Sequence, residues 1–203
     1  MSGSRNEPYQ GHGLASIETS PTDRWRNLKF ASTSIAGVCV VELEPHSDQR
    51  GYFARAFSDE EFRTAGLEMT VRNANTTYTR HKGTIRGLHY QLPPAGESKL
   101  IRCTRGAIFS VAVDVRADSP TFLHHVGVEL TAENRLALFI PEMCAAGALS
   151  LTDDAETFYL VSAYHDRDLE RGIRYDDPAV RIKWPIAITT VSEKDRSWSL
   201  LDV

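Results

Sequence analysis

Ten consecutive residues, Lys82-Gly83-Thr84-Ile85-Arg86-Gly87-Leu88-His89-Tyr90-Gln91, hold the densest group of side chains that could do chemistry. Arg86 and His89 bracket Gly87, a residue that marks a bulge or a close backbone approach when it sits in a strand. On a β wall, that pairing offers a base beside an anion clamp. A core histidine held by one hydrogen bond, next to a surface arginine, fits the same ten residues, and the motif alone leaves both readings open. A phosphate, if bound, has to be held by arginines, because the chain has no glycine-rich phosphate loop, no Cys-x-x-Cys pair and no Gly-x-Ser-x-Gly elbow. Arg50, Arg86 and Arg102 are the candidates, since a planar guanidinium donates paired hydrogen bonds to phosphate oxygens. A metal centre is not expected. The position two after His89 is Gln91, and His124 and His125 are adjacent, so on a strand they point to opposite faces.

The elements that must carry these residues are mostly strands. Residues 37–43 are rich in β-branched side chains and end before Pro45. Residues 99–103 and 107–115 read as two strands joined at a turn containing Gly106. Residues 126–130, 135–141 and 157–162 add three more. Helix is scarce: the best case is 58–65, with Ser58 as N-cap, Glu61 as its capping-box partner and Gly66 as the stop. Many short strands between frequent turns indicate an all-β sandwich or barrel. Residues 1–27, rich in Ser, Gly, Pro and charge without periodicity, read as a flexible tail, and 28–203 as one domain.

Composition narrows the partners. Of 203 residues, 41% are hydrophobic and 25% charged, which suits a globular protein and excludes collagen, coiled coil and a disulfide scaffold. A net charge of −4 gives no basic face for nucleic acid. No apolar run approaches the roughly 20 residues that span a bilayer, and the N-terminal residues do not read as a signal peptide. Cys39, Cys103 and Cys144 are odd in number, widely spaced and set among apolar residues, the usage of buried thiols in a reducing compartment, so a cytoplasmic protein is expected.

Five blocks in order resemble the dTDP-4-dehydrorhamnose 3,5-epimerases, a family of cupin-type sugar-nucleotide epimerases. They are Asp48-Gln49-Arg50-Gly51-Tyr52-Phe53; the 82–91 segment; Lys99-Leu100-Ile101-Arg102 with Val111 to Arg116; Ser119-Pro120-Thr121-Phe122; and Asp177-Pro178 with Trp184-Pro185 and Ser192-Glu193-Lys194-Asp195. The resemblance implies a double-stranded β-helix (a jelly-roll barrel) with short peripheral helices, a homodimer, and a nucleotide-sugar substrate turned over without a cofactor. It implies that His89 is the base, oriented by Asp195, that Lys99 holds the enolate oxygen, and that Tyr159 returns the proton. Arg50 and Arg86 would hold the diphosphate and sugar, and Gln91, Asn75, Tyr52 and Phe53 would line the pocket. The demand is physical: protons beside a C4 ketone need a placed base, the enolate needs a donor, and an acid must reprotonate the opposite face.

The sequence departs from the family pattern around this set. Ala146 stands where the family carries histidine, Ala148 where it carries an aromatic, and Arg55 where it carries glutamate. An expected aromatic pair reads Tyr164-His165, and His165 is counted with the substrate-binding residues. These changes leave the proton-transfer set whole and bear on substrate identity. They keep open a 3-epimerase, a 3,4-ketoisomerase, and a cupin that binds a sugar nucleotide without turning it over.

Overall fold

The computed structural model describes residues 28–202. The expected tail, residues 1–27, lies outside the described residues. Thirteen strands and two short helices are described. One six-stranded antiparallel sheet runs β1 (Leu28–Ser32), β2 (Cys39–Leu43), β10 (Ala137–Ile140), β7 (Lys99–Arg105), β12 (Ala155–Val161), β5 (Asn73–Thr79). A five-stranded antiparallel sheet runs β13 (Glu170–Gly172), β6 (Ile85–Gln91), β11 (Cys144–Ser150), β8 (Ala107–Asp114), β9 (His125–Thr131). The two face each other as the walls of a cupin-type barrel. A separate hairpin, β3 (His46–Asp48) with β4 (Gly51–Phe53), stands apart with every residue exposed.

Register decides what lies inside. Residues directly opposite in an antiparallel pair share a face. In the six-stranded sheet, Ala31, Val40, Leu138, Ile101, Tyr159 and Asn75 form one such row. In the five-stranded sheet the corresponding row is Gly172, His89, Ala146, Ala112 and Val126. Val40, Leu138, Ile101, Ala146, Ala112 and Val126 pack into a single buried cluster, with Tyr159 against it, so these rows face one another across the lumen.

The outer faces are covered separately. Helix α1 (Asp59–Thr64) lays Phe62 on the six-stranded sheet, edge-on to Phe30 at 5.1 Å and Phe139 at 5.6 Å. Full burial of that ring contributes roughly 2 kcal/mol. Ser58 caps the helix as expected, accepting from the Glu61 N–H. The Glu61 carboxylate, however, accepts from Leu28 N–H at 3.0 Å, tying the helix to β1. Leu88, Val111, Val113 and Ile173 form a third cluster behind the five-stranded sheet. The three cysteines are buried and unbridged, and burial pushes the Cys144 thiol up to about 12.

Two features differ from the sequence reading. The turn at Gly106 joins β7 to β8, but these strands do not pair: the chain crosses there from one sheet to the other. Local propensity marks a turn without saying which sheet the next strand joins. The second feature is the bulge beside Gly87. In a regular strand Arg86 and His89, three apart, would point to opposite faces. Here Ala146 pairs with His89 and Ala148 with Arg86, so one residue of β11 opposes two of β6. The extra residue brings both side chains to the lumen face and leaves Leu88 outside. Gly87 has φ of +115°, and a Cβ there would lie 2.7 Å from both Ala146 O and Gly147 Cα. Both obstacles are backbone and cannot swing away. Gly87→Ala is therefore expected to lower stability by about 2 kcal/mol or more, read from the urea midpoint. An unchanged midpoint would contradict this reading of the bulge.

Candidate active site

His89 and Asp195 meet although 106 residues separate them. His89 Nε2 and Asp195 Oδ1 share a hydrogen bond of 2.6 Å. Asp195 sits on helix α2 (Glu193–Ser197), whose N-cap Ser192 accepts from the Asp195 N–H at 3.0 Å. The other carboxylate oxygen accepts from Gly87 N–H at 3.3 Å, so the bulge supplies a donor as well as a direction. The Asp195 side chain is 5% exposed, that of His89 30%. Burial pushes the Asp195 carboxyl upward, and the bonds from His89, Gly87 and Ser192 outweigh it, holding the group below the ordinary carboxylate range. An ionised carboxylate only accepts, so Nε2 carries a proton, and the neutral form of this ring has its lone pair on Nδ1. This is the tautomer a base at Nδ1 requires.

The opposite wall carries two more of the expected site residues, Tyr159 and Lys99. Tyr159 lies on the lumen face of β12 between Asn75 and Ile101, half-buried. Lys99, on the same face of β7, is 13% exposed and pairs with Glu97 at 2.5 Å. Arg86 reaches across the gap between sheets: its Nε donates to Thr79 Oγ1 at 3.1 Å and its Nη2 to Tyr78 O at 3.2 Å, both on β5. His89, Arg86, Lys99, Tyr159 and Asn75 thus share one lumen, lined beside His89 by Ala146, Ala148 and Ala112.

Other expected site residues are placed elsewhere. Gln91 shares the lumen face of β6 but is 3% exposed. Its amide donates to Ala95 O and Tyr164 O, and its oxygen accepts from Asp166 N–H. These bonds tie its amide to the turn after β6 and to the loop before β13. Arg50 pairs with Asp48 on the exposed hairpin, and Tyr52 and Phe53 are 53% and 66% exposed there. Tyr52 lies under Arg135, 4.9 Å from the guanidinium. Arg135 O in turn takes Arg102, which points to the outer face of β7. The hairpin therefore belongs to the outside of the barrel within this chain. Arg55 pairs with Glu61 of α1 at 3.7 Å, again outside the lumen. His165 reaches the rim through Glu170 at 3.2 Å.

Residues that sequence reasoning did not single out complete the surroundings: Glu97 beside Lys99, Glu170 and Lys194 beside the dyad, and Trp198, whose ring lies 6.5 Å from that of His89. Lys194 stands next to Asp195 in a quoted block, which was the one available signal. Glu170 carries none, because its place depends on β13 pairing with β6.

Residues 32–202 match the family model described as dTDP-4-dehydrorhamnose 3,5-epimerase. The dTDP-4-dehydrorhamnose 3,5-epimerase of Sinorhizobium fredii is 43% identical over 171 residues, 84% of this chain and 88% of that protein. The enzyme of that name from Bacillus anthracis, solved with TDP and pyrophosphate bound, superposes with a TM-score of 0.82 at 34% identity, covering 86% of this chain and 99% of that one. ChmJ, a 3'-monoepimerase from Streptomyces bikiniensis solved with dTDP-quinovose, gives 0.77 at 36% identity, covering 83% and 85%. With the dyad, the facing tyrosine and lysine, and the barrel already in place, these matches establish that the chain belongs to the dTDP-4-dehydrorhamnose 3,5-epimerase family.

Proposed function

We propose that this protein epimerises a dTDP-4-keto-6-deoxy sugar at C3, C5 or both, by proton abstraction and return through an enolate, in deoxysugar biosynthesis of the rhamnose type. One observation carries the reading: His89 and Tyr159 stand on opposite walls of one lumen. Inversion requires a proton to leave one face of the sugar ring and another to arrive on the opposite face. A ring lying between β6 and β12 presents those two faces to His89 and Tyr159.

His89 Nδ1 takes the proton beside the C4 ketone, and Asp195 holds the imidazolium that results. Lys99 stabilises the charge that develops on the ketone oxygen, a role worth about 3 kcal/mol for a single well-placed donor. Tyr159 delivers its proton to the other face. Arg86 at one end of the lumen suits a diphosphate oxygen, Asn75 lines the wall beside Tyr159, and His165 stands with Glu170 at the other end of β6. None of these steps calls on a redox group or a metal ion, because the ketone already acidifies the neighbouring C–H bonds.

The hairpin residues fit a homodimer. Arg50, Tyr52 and Phe53 project from the barrel rather than into its lumen, and an exposed aromatic pair beside a guanidinium is suited to a second copy of the chain. Placed there, they would reach a partner's nucleotide sugar instead of their own. The three buried free thiols support a reducing compartment, and we place the protein in the cytoplasm.

The alanines beside His89 favour a second possibility within the same chemistry. Ala146 and Ala148 add no hydrogen bond to the sugar beside His89 and Arg86, which favours a looser hold and a single inversion. Incubation with dTDP-4-keto-6-deoxyglucose in D2O, followed by NMR, separates the outcomes. Deuterium entering at C3 and C5, and lost in His89→Ala by about 10²-fold or more, is the expected result. Entry at C3 alone identifies a 3-epimerase. Binding without exchange at either carbon would contradict catalysis on this sugar and favour a binding protein.

A further inference from the structure

Asp195 reaches His89 from a segment outside the barrel, so something other than the sheet must fix its position. The segment is tethered at both ends. Upstream, Thr189 N–H donates to Gly83 O at 2.8 Å and Ile85 N–H to Thr190 O at 2.9 Å. Downstream, Leu201 N–H donates to the buried Asp177 carboxylate at 2.8 Å. The Trp198 ring rests on Gly172, where a Cβ would come within 2.2 Å of it, so only glycine admits the indole.

Between the tethers, one ion pair joins α2 directly to the wall that carries His89. Lys194 Nζ lies 2.6 Å from Glu170 Oε1, and Glu170 Oε2 takes His165 Nε2 at 3.2 Å. Glu170 begins β13, opposite Gln91, two residues before Gly172, which is itself opposite His89. Its side chain is 12% exposed, whereas that of Lys194 is 50% exposed. Burial pushes the Glu170 carboxyl upward, and Lys194 and His165 together outweigh it, so the group is ionised at neutral pH.

We propose that Glu170 and Lys194 are a positioning pair for the His89–Asp195 dyad, holding α2 against β13 while each cancels the other's field at the imidazole. The proposal rests on the reading of His89 as the base. Abstraction turns a neutral imidazole into a cation, so any charge left uncancelled nearby changes how readily that occurs. Asp195 and Glu170 act on His89 directly, and the other charged and titratable groups on the elements packed around it are Arg86 and Tyr90 on its own strand, Arg171 on β13, Glu193, Lys194 and Arg196 on α2, and His165 on the loop before β13. From the opposite wall come Tyr159 and Lys99, the latter with Glu97. Arg86, Lys99 and Asp195 keep their own partners when residue 170 or 194 is changed. His165 loses its partner with Glu170, and any cation it forms then acts in the same direction as Lys194.

The sign follows directly. The base works only when neutral, so exchange falls on the acid side as the imidazole takes up a proton. Glu170→Gln leaves the Lys194 cation uncancelled, disfavours the imidazolium, and moves the acid limb to lower pH. Lys194→Gln leaves the Glu170 carboxylate uncancelled and moves the limb to higher pH. Each displacement is expected to be about half a pH unit or more. The double variant returns close to the parent. A loss of packing alone lowers rates in both variants without driving the limbs apart.

The test is the pH profile of deuterium wash-in on dTDP-4-keto-6-deoxyglucose for the parent, both single variants and the double. Alongside it, the His89 imidazole is titrated by NMR without substrate, its signal assigned with His89→Gln. Opposite displacements, cancelling in the double variant, are the expected result; displacements in the same direction, or none, would overturn the proposal. If the parent shows no exchange, the epimerase reading fails while the imidazole titration still decides the pair. If Glu170→Gln does not fold, Lys194→Gln decides alone: a limb and a titration that stay in place overturn the pairing.

Discussion

A buried carboxylate held 2.6 Å from an imidazole is the contact on which the rest of this molecule's chemistry depends. An ionised group removed from water costs several kcal/mol unless its lone pairs are satisfied. Asp195 is satisfied by His89, by the Gly87 N–H and within the Ser192 cap. Each of those donors comes from a different local structure: a strand residue, a bulge and a helix N-terminus. The bulge in β6 turns His89 inward and leaves a backbone N–H for the same carboxylate. The dyad is thus a consequence of one inserted residue as much as of two reactive side chains.

The barrel converts this contact into stereochemistry. Two antiparallel sheets place their inward rows opposite one another, so His89 on one wall and Tyr159 on the other stand with a lumen between them, as a proposed base and acid must. The wall beside His89 is built from small residues, Ala112, Ala146 and Ala148, which leaves space where larger side chains would fill it. The facing wall supplies Tyr159 and Lys99 among the apolar rows of β7 and β12. Outside the barrel, the hairpin with Arg50, Tyr52 and Phe53 is separate from this lumen, as is Arg102.

Much of this was legible in the sequence, for physical reasons that differ from residue to residue. Strand content showed in runs of β-branched residues, and the α1 cap in a serine followed by acidic residues. The ordered motif blocks contain His89, Lys99 and Asp195, and the family likeness they carry pointed on to Tyr159 outside them. What stayed hidden depended on pairing between distant segments. The period-2 rule puts Arg86 and His89 on opposite faces, and only the register with β11 reveals the bulge that reconciles them. The bonds of Gln91 were hidden too, because nothing in the sequence says that Ala95, Tyr164 and Asp166 bring backbone groups to it. Gly106 marked a turn, but not that the turn changes sheets. Glu170 was invisible for the same reason: three short residues of β13 carry no strand signal until β6 pairs with them.

The most direct test of the central contact is the rate at which solvent deuterium enters dTDP-4-keto-6-deoxyglucose in Asp195→Asn, measured beside the binding of the same sugar nucleotide. An asparagine of nearly identical shape keeps the space filled but can neither stabilise an imidazolium nor enforce the proton on Nε2. The account predicts exchange slowed by about 10²-fold or more with binding retained. Exchange at the parent rate in a folded Asp195→Asn protein would contradict it.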